Sequence, residues 1–334
     1  MIKRKALLCL LAAVIGLTGC QEAKQAETER KYPLEAIEMV APAGNGSGYD
    51  LTIRSIVQCL ENTGLVSVPL PVTNKPGGGG RINMEYLDEA RGRNNVLSIF
   101  SPPICLINLN GSTDLNYAED TTPIAQLVVD YGCFAVRADS PYQNLGEVME
   151  ELRESPESIL VGGTSSLGSM DHIQFLKIAR AAGVENLKSI RYDGFENGGG
   201  VTQLMGGRVD ILSTGISDVV GLVESGDIRV LAVTSDKRLE GEVISQIPTC
   251  REQGIDAMFI TWRGLFGPGD MPEYAVKYWE DVLKEMTETN EWKATCRKYG
   301  WTMEYKDHEQ FTEFLGQVNE EYRELLDEVG LSRQ

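Results

Sequence analysis

Three glycine-rich segments constrain this chain more than anything else in it. They are residues 42–50 (PAGNGSGYD), 74–83 (NKPGGGGRIN) and 162–172 (GGTSSLGSMDH). Each stands between a short apolar run and a segment with helical spacing. Residues 37–41 read as a strand before the first, and apolar positions at Leu51, Ile53, Ile56, Val57 and Leu60 predict a helix over 50–62 after it. Strands over 68–73 and 159–162 lead into the other two, and helices over 82–90 and 173–182 follow them. Side chains are thus stripped away where a helix presents its unpaired N–H groups. Glycine lets the backbone adopt φ > 0 and approach a ligand closely, and a helix start offers about +0.5 of an elementary charge plus free donors to an anion. The bland alternative is three tight strand–helix turns, against which stands the entropy of ordering four consecutive glycines. Charge-assisted hydrogen bonds contribute about 1.5–3 kcal/mol each. Four to six of them, less several kcal/mol of lost freedom, give roughly −8 kcal/mol, a micromolar dissociation constant for a carboxylate.

Nucleotide and hydrolase motifs do not compete for these turns. Gly44, Gly46 and Gly48 form GxGxG and not the dinucleotide GxGxxG, and neither GxxxxGK[ST] nor GxSxG occurs. The remaining pattern alternates strands (96–100, ending in Ser101-Pro102-Pro103; 124–129; 133–136; 187–192; 209–213; 230–234; 265–267) with helices (145–154, 200–206, and most of 273–329). That alternation predicts an α/β protein built from βαβ units on a parallel sheet. The last helix is expected to bury Phe311, Phe314, Leu315, Val318 and Tyr322. A length of 334 residues suits about two domains. With 49 acidic against 31 basic residues the formal charge is −18, which repels nucleic acid. His172 and His308 are the only histidines, too few for a zinc site or a histidine relay, so neither a metal nor a cofactor is expected. No CxxC occurs; Cys59, Cys105, Cys133, Cys250 and Cys296 read as buried free thiols, with one disulfide left open.

Residues 1–20 (MIKRKALLCLLAAVIGLTGC) begin with Lys3, Arg4 and Lys5 and continue with 13 residues of mainly apolar character, short of the roughly 20 that span a bilayer. This is a secretory signal. Leu17-Thr18-Gly19-Cys20 resembles a bacterial lipobox, so residues 1–19 are expected to be removed and Cys20 lipidated. Losing Lys3, Arg4 and Lys5 and no acid moves the formal charge from −18 to −21. Residues 20–31 are polar and suit a flexible tether. The folded part is expected outside the cytoplasm, in the periplasm or on the outer face, held to the cell membrane only by its lipid.

The succession of motifs resembles the substrate-binding proteins of tripartite tricarboxylate transporters, the TctC or Bug family. Tyr32-Pro33, PAGNGSGYDLTIR with Asp50 and Arg54, and NKPGGGGRIN carry the likeness. So do DTTPIAQL (120–127), GTSSLGSMDH, RYDGFENGGGVTQLMGGRVDIL (191–212), SGDIRVLAVTSDKR (225–238), IPTCREQGID (247–256) and TWRGLFGPGDMP (261–272). The resemblance implies a type II periplasmic-binding-protein fold: two α/β lobes joined by two crossing strands, with the ligand cleft between them. The crossings then fall near 131–136 and 230–234, with one lobe comprising 32–131 plus 235–334 and the other 132–234. It also implies a carboxylate ligand held through backbone N–H groups and water. The first two turns would supply Ala43, Gly44, Asn45, Gly46, Ser47, Asp50, Gly78, Gly79 and Gly80. Thr164, Ser165, Gly168 and Ser169 would close from the other lobe, and Arg81, Ser101 and His172 complete the candidates. Asp50 reads as a helix cap that accepts from backbone N–H groups, and His172 as a satisfied helix-start histidine. Asn45 and Ser47 add side-chain hydrogen bonds where the family commonly has small residues. Arg81 stands where it commonly has a neutral residue; it either grips a second carboxylate in a bidentate fork or points to solvent. The implied partners are a small organic acid and two integral membrane transporter subunits, the receptor itself being a monomer. Two other readings remain: an extracytoplasmic enzyme using Asp50 or His172, and a ligand-sensing subunit for a sensor kinase.

Overall fold

The computed structural model describes residues 31–195 and 199–333, so residues 1–19, the candidate lipidation site Cys20 and the tether up to residue 30 lie outside the described residues. Strands and helices alternate as the apolar pattern predicts. The first run is β1 (Glu38–Ala41), α1 (Gly48–Thr63), β2 (Val72–Asn74), α2 (Arg81–Glu89), β3 (Val96–Phe100), α3 (Pro103–Leu109) and α4 (Tyr117–Asp120). A 17-residue strand, β4 (Thr121–Arg137), leads to α5 (Leu145–Glu154), β5 (Leu160–Gly163), α6 (Met170–Ala181), β6 (Arg191–Gly194), α7 (Gly199–Met205), β7 (Ile211–Gly215), α8 (Val220–Ser225) and β8 (Ile228–Val233). The chain closes with β9 (Ile260–Pro268), α9 (Glu273–Glu288), α10 (Asn290–Tyr299), β10 (Thr302–Lys306) and α11 (His308–Val329). The strands form one sheet in the order β2-β1-β3-β9-β4-β7-β5-β6, with β8 and β10 also on β4. Among the described residues no helix is long and apolar enough to cross a membrane.

β4 organises the molecule because it changes partners midway. It pairs antiparallel with β9 up to Tyr131↔Ile260, and with β7 from Gly132↔Gly215 onward. In the first half of the sheet β1, β2 and β3 are mutually parallel and β3 is antiparallel to β9, so these three run in the direction of β4. In the second half β5, β6 and β7 are mutually parallel and oppose β4. The carboxyl-terminal edges of both halves therefore point at the Tyr131/Gly132 switch from opposite sides, which is where an open α/β sheet places a ligand crevice.

After β8 the chain stays beside that strand before it returns to the first half of the sheet. Thr234 donates its N–H to Gly132 O (2.9 Å), but the chain does not turn back there. Thr249 bridges Val233, and Gln253 donates to Leu231 O at 2.8 Å while accepting from Leu145 N. Residues 235–259 thus stay bonded to β8 and α5, and the chain enters the first half at Phe259–Ile260, where Phe259 N meets Thr234 O. Three local expectations shift. The segment 187–192 forms a 3₁₀ turn (Leu187–Ser189) before a strand that starts only at Arg191. The two pieces 124–129 and 133–136 are one strand, because the polar Asp130-Tyr131-Gly132 break in the apolar run is the switch itself. The edge strand β10, exposed at Thr302 and Met303, lies inside the stretch read as helical. Phe311, Leu315 and Tyr322 of α11 are buried, while Phe314 and Val318 are packed at the margin of the core. Cys59, Cys105, Cys133, Cys250 and Cys296 are all buried free thiols.

Candidate functional site

The first two glycine turns leave the sheet side by side, because Ala41 at the end of β1 is paired with Asn74 at the end of β2. Asn74 ties them together, donating to Ala43 O (2.8 Å) and to Asp50 Oδ1 (2.9 Å). Asp50, buried in the first turn of α1, also accepts from Gly46 N at 2.9 Å and from Arg54 Nε at 2.8 Å. Burial alone would raise its pKa, but these hydrogen bonds together outweigh burial and hold the carboxyl below its ordinary value. Its two oxygens are therefore committed to the turn. Ser47 is the N-cap of α1 and its hydroxyl accepts from Asp50 N. Gly44 and Asn45 are exposed, and their N–H groups find no acceptor among the described residues.

The second turn shows why four glycines stand in a row. Gly77, Gly78, Gly79 and Gly80 have φ of 132°, 58°, 64° and 106°, a succession that L side chains rarely adopt. Gly80 N and Arg81 N bond back to Gly77 O and Gly78 O, whereas the N–H groups of Gly78 and Gly79 are left without an acceptor among the described residues. Arg81 lies at the surface: its Nη1 donates to the equally exposed Glu85 at 2.5 Å, one helical turn on, while the inner part of its side chain lies across Gly78. Asn83 is buried and donates to Ser98 Oγ. Ser101 closes the same edge at the end of β3; its hydroxyl shares a 2.5 Å hydrogen bond with Tyr49 OH, a phenol whose pKa burial pushes up to about 12.

The third turn belongs to the second half and is held by a residue that sequence reasoning passed over. Asp171 Oδ2 accepts from both the N–H and the hydroxyl of Thr164 (2.7 Å each), and Asp171 N donates to Ser165 Oγ. Its place in the first turn of α6 repeats that of Asp50 in α1, a parallel legible in the sequence from an acid at the start of each helix after a glycine turn. Burial raises the Asp171 pKa to about 6 against the pull of the Thr164 bonds. His172 Nδ1 accepts from Gly168 N at 3.1 Å, and its ring lies 4.5 Å from that of Tyr192. Burial lowers its pKa to about 4, so at neutral pH it is an uncharged backbone acceptor. Ser169 is the N-cap of α6 and is nearly buried. A Cβ on Gly168 would contact Leu326 of α11 and Asn110 at the end of α3, while one on Gly79 would meet Ile107 of α3. A single short helix thus separates the third turn from the second, and no hydrogen bond joins it to the first two among the described residues.

Asp50 and His172, the two groups an acid–base mechanism would need, are both engaged by backbone N–H groups. The arrangement is suited to gripping an anion with main-chain donors at helix starts. Arg263 of β9, also passed over, lies beside the first turn: its Nη1 donates to Gly48 O at 3.1 Å and to Thr52 Oγ1 at 2.5 Å.

Comparison with known proteins gives one answer. Residues 58–331 match the model of the family described as the tripartite tricarboxylate transporter family receptor, TctC. A UPF0065 protein of Bordetella bronchiseptica is 27% identical over 234 residues, covering 70% of this chain and 67% of its own length. Among solved structures, the R. palustris Rpa4515 protein with adipate superposes with a TM-score of 0.76 at 21% identity over 90% of this chain and 99% of that one. MatC from Rhodopseudomonas palustris with bound malate gives 0.70 at 20% identity over 89% and 100%. The structural neighbours share the mixed α/β periplasmic-binding fold, and the family model covers nearly all of the described chain. The chain belongs to the TctC (Bug) family of extracytoplasmic solute-binding receptors.

Proposed function

We propose that this receptor captures a small carboxylate, a di- or tricarboxylate or related organic acid, in the crevice at the Tyr131/Gly132 switch and delivers it to a tripartite tricarboxylate-type membrane transporter. The observation that carries the reading is the set of unused main-chain donors at Gly44, Asn45, Gly78 and Gly79, beside the starts of α1 and α2. Ser47, Gly46, Gly80 and Ser101 shape that side, and Thr164, Ser165, Gly168 and Ser169 close from the other. Asp50 and His172 hold the turns without touching ligand. In this reading residues 32–131 with the chain's last part form one lobe and residues from 132 onward the other, and the bonds of residues 235–259 to β8 support counting that segment with the second lobe. Ligand then shifts an open–closed equilibrium by binding both lobes at once. The acids held by the two R. palustris proteins, adipate and malate, are dicarboxylates, which supports the ligand class. A lipid on Cys20 tethers the receptor to the membrane.

The test is a thermal-shift panel of mono-, di- and tricarboxylates on the mature chain. A ligand at about 100 times its dissociation constant adds roughly 2.7 kcal/mol of stability and raises the melting temperature. Bound acids recovered unchanged exclude turnover. A panel in which no carboxylate moves the melting temperature would falsify the reading.

A further inference from the structure

Arg263 sits where electrostatics disfavours a cation. Its guanidinium lies against the N-terminus of the 16-residue helix α1, with Nη2 3.1 Å from where a Cβ on Gly48 would stand. A helix N-terminus carries partial positive charge and favours anions, so a positive side chain there opposes the dipole. Yet this one is nearly buried, with its side chain 11% exposed. Its nearest counter-charge, Asp130 Oδ2, is 3.7 Å from Nη2, beyond hydrogen-bond length. The same Oδ2 also accepts from Ser217 Oγ of the second half at 3.3 Å, so Asp130 divides its charge between Arg263 and that contact. Nη1 is spent on Gly48 O and Thr52, and the planar group rests over the Trp301 ring at 5.4 Å, which fixes its orientation. Nη2 makes no hydrogen bond among the described residues. The other cations bordering the first two turns are engaged: Arg54 with Asp50 and Asn74, Lys75 over the Tyr86 ring, Arg81 with Glu85.

Resting on the carboxylate-receptor reading, we infer that Arg263 and the start of α1 form a second anion subsite, which takes the distal carboxylate of a dicarboxylate ligand. The glycine-turn amides hold one carboxylate, and the Nη2 edge beside Gly48 holds the other. The absence of a side chain at Gly48 is what lets the guanidinium lie this close to the helix start. β9 places Arg263 three residues from the Tyr131↔Ile260 switch pair, opposite Val128 of β4. This moves the role considered for Arg81 to an arginine fixed by packing. An anion here also neutralises the clash between the guanidinium and the helix dipole.

The experiment compares acids of equal chain length, adipate with hexanoate and succinate with butyrate, by calorimetry on the mature protein. The wild type is expected to prefer the dicarboxylates. Arg263→Gln should weaken dicarboxylate binding about 10- to 100-fold, the effect of losing a charge-assisted contact, and monocarboxylate binding less than about threefold. Arg263→Lys keeps the charge without the fork and should fall between. Asp130→Asn removes the competing negative charge and should tighten only the dicarboxylates. Equal losses for both acid types in Arg263→Gln would mean that Arg263 only supports α1, and would overturn the inference. So would weaker dicarboxylate binding in Asp130→Asn, or a wild type indifferent to the second carboxylate. A wild type that binds none of the acids overturns the receptor reading as well, which separates that failure from this one.

Discussion

Asp50→Asn tests whether the carboxylate at the start of α1 is a clamp or a ligand contact. Oδ1 accepts from Asn74 and Arg54 and Oδ2 from Gly46 N, at 2.8 to 2.9 Å. An amide offers one acceptor. If its oxygen keeps the Oδ1 bonds, its NH₂ faces the Gly46 N–H and that bond is lost; the reverse placement loses two. Losing one bond to a charged acceptor costs about 1.5–3 kcal/mol, and the share that involves Arg54 is discounted because that side chain is half-exposed. A net loss of about 2–3 kcal/mol lowers the melting temperature by roughly 3–5 °C, taking an unfolding entropy of about 2.1 cal/mol/K for each of about 300 residues. The freed Gly46 turn should weaken all carboxylates alike, about tenfold. Because the folded-state pKa of Asp50 is depressed, its stabilisation is present above the ordinary carboxylate range and is lost as pH falls through the folded value. Wild-type and variant stabilities should therefore converge in acid. Ligand-free melting curves and calorimetry decide the matter. An unchanged ligand-free melting temperature together with abolished binding would refute the clamp and make Asp50 a direct contact.

Two further outcomes follow from the same geometry. Gly79→Ala places a Cβ at φ 64° and 3.3 Å from Ile107 Cγ2; the left-handed conformation costs about 1–2 kcal/mol, and relaxation of the turn should cost about tenfold in ligand affinity by calorimetry, whereas retained affinity would remove the Gly79 amide from the site. His172 has a folded pKa of about 4 against an ordinary 6.5, so the unfolded chain binds a proton that the folded chain does not, and stability should rise with pH between those values by at most about 3 kcal/mol. Asp171, raised to about 6, loses stability as pH rises toward that value and partly offsets this. His172→Asn, which keeps an acceptor for Gly168 N, should flatten the difference in urea-melt stability between pH 4 and 6.5, and parallel wild-type and variant profiles would contradict it.

The amino-acid sequence by itself determined most of the local elements and the place of the three turns. A glycine run after an apolar strand and before an amphipathic helix is a short-range signal, and the helix over 145–154 and the strand over 96–100 appear where the pattern sets them. It also carried the family, because that rests on motif order along the chain. What it did not carry depends on residues far apart. Asp130-Tyr131-Gly132 reads as a break in an apolar run, and only the ladder shows an unbroken strand changing partners there. Segment 235–259 stays with β8 through bridges such as Val233↔Thr249 that no local pattern announces. Arg81 sits beside the glycines in sequence and is spent on Glu85, while Arg263, 215 residues beyond Gly48, lies against it. Propensity and periodicity act over a helical turn or two, whereas the electrostatics of a crevice depends on which charges the sheet order brings within a few ångströms, and that order exists only once the strands have paired.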